Sequence, residues 1–179
     1  MYGLDGSNYR KSMVKMQNMW IHDEGYKKYK EKEEKMPEVI SLDLYFTDFV
    51  TKADRRVQFA SVFTPEILAN AQKLLIQVNA LLNDLNVKTG DVTSGWRPAI
   101  INASTPNAAK SSYHMLGLAV DILDNKNQDL AKLIAAKPDL LRKYNLWLES
   151  PTSTKGINTN WVHLDVGVRS DRPSRIFLP

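Results

Sequence analysis

A long amphipathic helix is predicted between residues 64 and 85. Thr64 is a good N-cap, Pro65 fits the first helical turn, and Glu66 suits the positive end of the helix dipole. The apolar side chains that follow recur with a period of 3.6 residues and form one face: Ile67, Leu68, Ala71, Leu74, Leu75, Val78, Leu81, Leu82 and Leu85. A helix with one continuous apolar face must bury that face against another layer of the domain. This helix is therefore predicted to belong to the core, without a functional role.

Short elements around this helix are expected to supply the second layer. Alternation of apolar and polar residues predicts strands, and short periodic runs predict helices. The predicted strands are 40–46, 92–96, 117–123, 146–149 and 161–165, and the predicted shorter helices are 127–136 and 138–144. The last two strands should pair with each other through a polar loop over residues 150–160. The expected fold class is α+β, with an antiparallel sheet and helices packed to one side.

Residues 1–40 differ in character from residues 41–179 and are interpreted as a charged helical N-terminal extension before the main domain. Residues 22–35 are mostly charged or tyrosine, which is typical of a solvated helix with i,i+4 ion pairs. Three methionines and Trp20 form a weak apolar stripe upstream. Two interpretations stay open: a helix that packs on its own domain, or a docking segment for a partner.

The N-terminus carries an early acid and lacks the apolar segment of a secretory signal peptide. We therefore expect the chain to be made in the cytoplasm and to need separate delivery to any substrate outside the membrane. No unbroken apolar run reaches the roughly 18 residues of a membrane span. The net charge of +4 suits anionic polymers. No basic cluster is interleaved with stacking aromatic residues, so a bacterial wall polymer is favoured over nucleic acid as a partner.

The chain has no cysteine and only three histidines, which are His22, His114 and His163. Disulfides, thiolate metal sites and cysteine nucleophiles are therefore excluded, and any metal must be held by His, Asp or Glu. His22 lies in the charged extension with no partner pattern and is assigned no role.

Two segments place histidine and aspartate in the pattern of metal ligands. His114 and Asp121 can converge only if the chain turns between them, which Gly117 permits. Gly117 and Ala119 are also small enough to let the backbone pass close beneath a metal. His163 lies on a predicted strand further along the chain. Two imidazoles and one carboxylate are the three protein ligands of a catalytic zinc site, with a fourth position left for water. On residue types alone, a metal site and ordinary buried histidines without a metal are equally good interpretations.

Three motifs in order resemble those of a known family. They are Ser94-Gly95-Trp96-Arg97-Pro98, then Ser112-x-His114-x-x-Gly117-x-Ala119-x-Asp121, then Trp161-x-His163. Together they resemble the signature of the zinc D-Ala-D-Ala carboxypeptidases and the phage L-alanyl-D-glutamate endolysins, whose fold is shared with Hedgehog signalling domains. The resemblance covers roughly residues 60 to 168.

This resemblance implies a role for each matched residue. His114, Asp121 and His163 match the zinc ligands. Arg97 matches an arginine that binds or polarises substrate near the metal, and its alternative role is a structural pair with an acid. Ser112 matches a serine that contacts substrate or the groups around the ligands, and its alternative role is a turn-capping hydroxyl.

The catalytic base departs from the family pattern. Many members place Glu or Asp three residues before the last histidine, where this chain has Asn160, and an amide cannot take a proton from water. Two alternatives follow: Glu149, at the end of the strand opposite His163, is the base, or no base is present. Asp165 is a candidate to orient a ligand but could equally be a surface residue, whereas Asp124 is expected to be a turn residue.

The implied function is zinc-dependent hydrolysis of peptide bonds in bacterial peptidoglycan stem peptides. The expected protein is a phage endolysin or a virion-associated wall-degrading protein, with the N-terminal extension docking on virion proteins or the wall. The alternative is a structural or binding component of a phage particle that keeps the fold with little activity. The two are separated by whether Glu149 approaches the metal site.

Overall fold

The computed structural model describes residues 38–88, 90–156, 160–170 and 172–179, all within one compact unit, Pro37–Pro179. Nearly all of the predicted helical extension lies outside these residues. The helices are α1 (Leu42–Phe46), α2 (Arg55–Gln58), α3 (Pro65–Asp84), α4 (Ala99–Ser104), a short 3-10 helix (Tyr113–Leu116), α5 (Asp129–Ala135) and α6 (Pro138–Lys143). The strands are β1 (Val92–Ser94), β2 (Ala119–Asp124), β3 (Trp147–Glu149), β4 (Asn160–Asp165) and β5 (Ile176–Phe177).

Helix α3 forms as the sequence predicts. The Thr64 hydroxyl accepts a hydrogen bond from the Ile67 N–H at 3.3 Å, which caps the first turn. Its apolar face is buried in a core shared with α1, α5, α6 and the sheet. No helix among the described residues has the length and apolar character that crossing a membrane requires.

The five strands form one sheet in the order β1-β2-β4-β3-β5. The predicted pair β3 and β4 is antiparallel, as are β1 with β2 and β2 with β4. The predicted α+β class and the antiparallel pairing are found for four of the five strands, but the sheet as a whole is mixed, because β5 pairs with β3 in parallel. Strand β4 already has a neighbour on each side, and β5 adds at the edge beyond β3. It runs antiparallel to β4, and it is therefore parallel to β3.

The predicted strand over residues 40–46 is a short helix instead. The Ser41 hydroxyl accepts the Leu44 N–H at 3.1 Å and caps α1. Tyr45 and Phe46 are both fully buried in the same core, whereas consecutive residues of a strand would point to opposite faces. Local capping and the burial of two adjacent aromatic rings therefore override a short alternating pattern.

The two faces of the sheet carry different chemistry. Along β2 and β4, alternate residues pack into the core, namely Val120, Ile122, Val162 and Leu164. The residues between them point to the other face, because side chains alternate along a strand. Asp121 and His163 are therefore on the face that the main core does not cover.

An ion pair fixes the loop before α2. The buried Arg55 donates from Nη2 to the Asp48 carboxylate at 2.6 Å and from Nη1 to the Trp96 carbonyl at 2.7 Å. The same carboxylate accepts the backbone N–H groups of Val50 and Thr51. This network connects the loop to the backbone of Trp96, next to Gly95 and Arg97.

We expect Asp48→Asn to lower the free energy of unfolding near neutral pH by about 2 kcal/mol, because Arg55 loses a charged hydrogen-bond acceptor. Burial alone would raise the pKa of Asp48, but hydrogen bonds from Thr51 and Arg55 outweigh it and hold the pKa far below its ordinary value. A depressed pKa stabilises the fold above the unfolded-state pKa of about 4, and this stabilisation is lost as the pH falls through the folded-state pKa.

Urea unfolding of the wild type and of Asp48→Asn, from neutral pH to below about pH 4, measures the difference in the free energy of unfolding. The difference between the two proteins should be largest near neutral pH and shrink below about pH 4. Equal stabilities near neutral pH would show that the ion pair contributes nothing.

Candidate metal centre

The three predicted metal ligands come together. His114 is on the 3-10 helix, Asp121 is on β2, and His163 is on β4, directly paired with Asp121. One ligand atom from each lies within 4.8 Å of the others, and two of the three residues are buried. These residues could hold a metal ion.

A sharp turn places His114. The Ser112 hydroxyl accepts the His114 N–H at 3.3 Å, and Gly117 ends the turn at a φ of 74°, in the left-handed region. A Cβ on Gly117 would lie 2.7 Å from the Ile67 carbonyl oxygen in α3. The predicted need for a small residue at 117 therefore comes from the close approach of α3, and not from a backbone beneath the metal.

The orientation of the His114 ring is set by a backbone carbonyl. Its Nδ1 lies 2.7 Å from the Gly95 carbonyl oxygen, which can only accept a hydrogen bond, so Nδ1 carries the proton. The lone pair on Nε2 then faces Asp121 Oδ1 at 3.2 Å and His163 Nδ1 at 3.3 Å. Gly95, which the sequence placed only in a motif, therefore fixes the nitrogen that His114 offers to a metal.

His163 faces a carboxylate on each side of its ring. Its Nδ1 lies 2.7 Å from Asp121 Oδ1, and its Nε2 lies 3.1 Å from Asp165 Oδ2. Asp165 is fully buried, so the alternative that it is a surface residue is wrong. With Nε2–H donating to Asp165, Nδ1 is the nitrogen left for a metal.

The spacing of the donor atoms fits a small tetrahedral ion. Zinc binds nitrogen and oxygen at about 2.0–2.1 Å, so tetrahedral ligands lie roughly 3.3 Å apart. The three donor atoms are separated by 2.7, 3.2 and 3.3 Å, so only the pair Asp121 and His163 would have to move apart. Two imidazoles and a carboxylate form the ligand set of open, catalytic zinc sites.

The charges of the site also suit a cation. Burial lowers the pKa of His114, which is therefore neutral and able to bind metal. Burial would raise the pKa of Asp121, but both histidines outweigh it and keep the carboxylate ionised. Burial would lower the pKa of His163, but the hydrogen bonds that its ring donates to Asp121 and Asp165 raise it to about 10. A metal at Nδ1 must therefore displace a proton, so its binding weakens as the pH falls.

Glu149 belongs to the same row of side chains across the sheet. Ser94 pairs with Asp121, and Asp121 pairs with His163. The register of β3 and β4 pairs Leu148 with Leu164, so the next position places Glu149 opposite His163. Directly opposite side chains on one face are about 5 Å apart at Cβ. Phe177 on β5 pairs with Glu149 on its other side. We call these five paired residues the cross-strand row: Ser94, Asp121, His163, Glu149 and Phe177.

The environment of Glu149 suits a group that exchanges protons. It is half-buried and accepts no hydrogen bond from any residue in the described ranges. Burial raises its pKa, and the carboxylates of Asp121 and Asp165 add to this effect, while His163 and Arg169 oppose it. A glutamate held in this way keeps its lone pairs free and binds a proton more readily than an exposed one.

Arg97 and Ser112 contact each other beside His114. Arg97 Nη2 donates to the Ser112 hydroxyl at 3.1 Å, and the Arg97 backbone N–H donates to the His114 carbonyl at 3.1 Å. The predicted alternative for Ser112, a turn-capping hydroxyl, is observed, because it caps the 3-10 helix.

No described acid forms an ion pair with Arg97, so the alternative of a structural pair is not found there. Its Nε is buried without a partner among the described residues. Burial lowers the pKa of this guanidinium, but arginine stays charged at neutral pH. A buried, charged donor without an acceptor is available to bind one.

Asn160 points away from the metal ligands. It is three positions before His163 on a regular strand, so the two side chains are on opposite faces. Its Nδ2 donates to the carbonyls of Asn125 and Lys126 at 2.9 and 3.2 Å. Asn160 therefore fixes the loop after β2, and an acid at this position of the strand would not face His163.

One acid, Asp124, and one base, Arg169, remain to be placed in the structure. Asp124 accepts hydrogen bonds from the backbone N–H groups of Leu130 and Ala131 at the start of α5. It is the buried last residue of β2, paired with Asn160, so its prediction as a turn residue is wrong. Arg169 binds Asp165 and was not predicted. The only sequence signal for it is its position four residues after Asp165.

A scan against protein-family models finds no family that matches this chain, and a search of curated proteins finds no matching relative. The interpretation of the site therefore depends on its own geometry and motifs.

Proposed function

We propose that this chain is a zinc metallopeptidase that hydrolyses peptide bonds in the stem peptides of bacterial peptidoglycan. One observation carries the proposal. The ligand set of His114, Asp121 and His163 shares one face with Glu149, a half-buried acid that accepts no hydrogen bond from the rest of the described chain. A metal site for structure alone would have four protein ligands and would need no acid of this kind.

Each residue has a distinct chemical task in this proposal. Zinc held by the three ligands would polarise the scissile carbonyl and lower the pKa of water to about 7. Glu149 receives the proton that the attacking water loses and passes it to the leaving amine. Its raised pKa makes it a better proton acceptor than an ordinary glutamate. Arg97 supplies a charged guanidinium that can bind a substrate oxygen or carboxylate.

The substrate class follows from the resemblance of the three motifs to wall-cleaving peptidases. Peptidoglycan peptides carry free carboxylates, which suit the half-buried guanidinium of Arg97 and a net charge of +4. A phage endolysin or a virion-borne enzyme is the setting that agrees with these motifs.

The test is digestion of purified peptidoglycan by the zinc-loaded full chain, with the released peptides identified by mass spectrometry. We expect defined stem-peptide fragments from the wild type and none from His114→Ala, which should also lose stoichiometric zinc because one of three ligands is gone. His22→Ala is the matched control, since it removes a histidine outside the predicted ligand set and should retain both zinc and activity.

The opposite result would favour the other candidate role. If the wild type binds one zinc ion but releases no peptide, the enzyme proposal fails. The chain would then be a binding or structural component that keeps the metal site.

A further inference from the structure

Arg169 binds the buried carboxylate of Asp165 through two parallel hydrogen bonds, which form a fork. Its Nη1 donates to Oδ1, and its Nη2 donates to Oδ2 at 2.8 Å. The Gly167 N–H adds a third bond to Oδ1 at 2.8 Å. A fork of this kind fixes both the position and the rotation of a carboxylate, which a single charged contact does not.

An aromatic enclosure holds Arg169 in turn. Its guanidinium lies 3.6 Å from the ring centre of Phe177, and 5.5 and 5.6 Å from those of Tyr113 and Trp147. These rings belong to β5, the 3-10 helix and β3, so three separate elements confine one side chain. Cation–π contacts of this kind strengthen when the cation is shielded from water.

The contacts form a continuous chain from the aromatic enclosure to the metal site. Arg169 fixes Asp165, and Asp165 lies 3.1 Å from Nε2 of His163. The opposite nitrogen of that ring, Nδ1, faces the other two ligands. Phe177 also contacts the His163 ring edge-on, with 6.0 Å between ring centres.

We propose that Arg169 is a positioning residue for the metal centre: by fixing Asp165, it holds the His163 ring so that Nδ1 binds the metal. This inference rests on the metal site of the proposed function but not on its substrate.

The charge of Arg169 matters as well as its shape. Asp165 is 0% exposed, so without Arg169 it would be a buried carboxylate with one backbone donor and the His163 ring. Such a carboxylate would lose both contacts of the fork that fixes its rotation, and its Oδ2 could turn away from His163 Nε2. The positive guanidinium balances the negative charge of Asp165, while the Asp165 carboxylate still accepts a hydrogen bond from the His163 Nε2–H.

The test measures zinc affinity by competition with a chromophoric chelator, using the full chain and its variants Arg169→Met and Asp165→Asn. We expect both to bind zinc about 10–100-fold more weakly than the wild type, the usual effect of losing a group that orients a ligand. Arg169→Lys keeps the charge but loses the fork, so its affinity should be intermediate. Long-range ¹H–¹⁵N NMR of the zinc-loaded wild type should show Nδ1 of His163 bound to metal.

Arg175→Met is the matched control. Arg175 also stacks on Trp147, at 4.7 Å, and its removal leaves both bonds between Arg169 and Asp165 in place. Its zinc affinity should remain within about twofold of the wild type. The melting temperature of each metal-free variant separates a general loss of stability from a specific loss of affinity.

Three results would overturn the inference. They are wild-type zinc affinity in a folded Arg169→Met, binding of zinc by His163 through Nε2, and an equal loss of affinity in Arg175→Met. If Arg169→Met does not fold, Arg169→Lys decides, and wild-type affinity in that variant overturns the inference. None of these measurements uses peptidoglycan, so a wild type that binds zinc through Nδ1 without hydrolysis contradicts the proposed function alone.

Discussion

Glu149→Gln is expected to reduce peptide hydrolysis roughly a thousandfold while one zinc ion stays bound, since a general base contributes about 10²–10⁴-fold. The amide has nearly the shape of the acid but cannot accept the proton that water loses. Glu149 is adjacent to His163 in the cross-strand row and is not a metal ligand, so the metal site should survive. Steady-state hydrolysis of a stem-peptide substrate and metal analysis of the same samples measure the two effects.

The control for this experiment is Glu66→Gln, which makes the same change in an exposed position of helix α3 and should leave hydrolysis within about twofold. The double variant Glu149→Gln with Asn160→Asp tests the competing position for the base. Because position 160 is on the opposite face of β4, the new acid should not restore activity. Restored activity would show that the base is three residues before His163, and near-normal activity of Glu149→Gln would show that Glu149 is not the base.

Gly95→Ala is expected to cost at least about 3 kcal/mol in unfolding free energy and to weaken zinc binding at the same time. A Cβ on this residue would collide with the carbonyl oxygen of Tyr45 and lie 2.8 Å from its carbonyl carbon. These are backbone atoms of a buried residue, so neither side can move freely. The Gly95 carbonyl is also the acceptor for His114 Nδ1, and a shift of this backbone would release the ring.

Gly90→Ala is the control, because a Cβ there would contact only side chains, the closest at 3.4 Å from Ile122. Urea unfolding and chelator competition on both variants give the two quantities. A Gly95→Ala protein with wild-type stability would show that the segment from β1 to Arg97 can shift without cost. Normal stability together with normal zinc affinity would remove Gly95 from the metal centre.

The core helix and the principal strand pair were predictable from local pattern. Helix α3 has a cap, a first-turn proline and a consistent helical period over 20 residues, so its sequence is incompatible with most other local structures. Residues 40–46 lack this redundancy, and a short alternation did not outweigh the cap at Ser41. Strand β5 has only two residues, Ile176 and Phe177, which is too short for a periodic pattern, and its parallel pairing with β3 is a long-range contact that no local pattern shows.

The three candidate metal ligands could be predicted because the motifs record their residue types, and it is the side chains that the structure brings together. The residues that were missed act differently. Gly95 contacts His114 through its backbone carbonyl, a group that every residue has. Arg169 contacts Asp165 and not a candidate ligand directly. The assignment of Glu149 depended on a register between strands, which a sequence shows only after the pair is known.

The cross-strand row joins segments that are far apart along the chain, and this affects when the site can form. Asp121 and His163 are 42 positions apart, and strands β2 and β4 can pair only after the intervening helices allow their ends to meet. Closing such a loop costs conformational entropy before any contact stabilises it. We therefore expect the three candidate ligands to meet late, on a chain that is already largely folded. A metal ion bound there would slow the unfolding of the finished molecule rather than speed its folding.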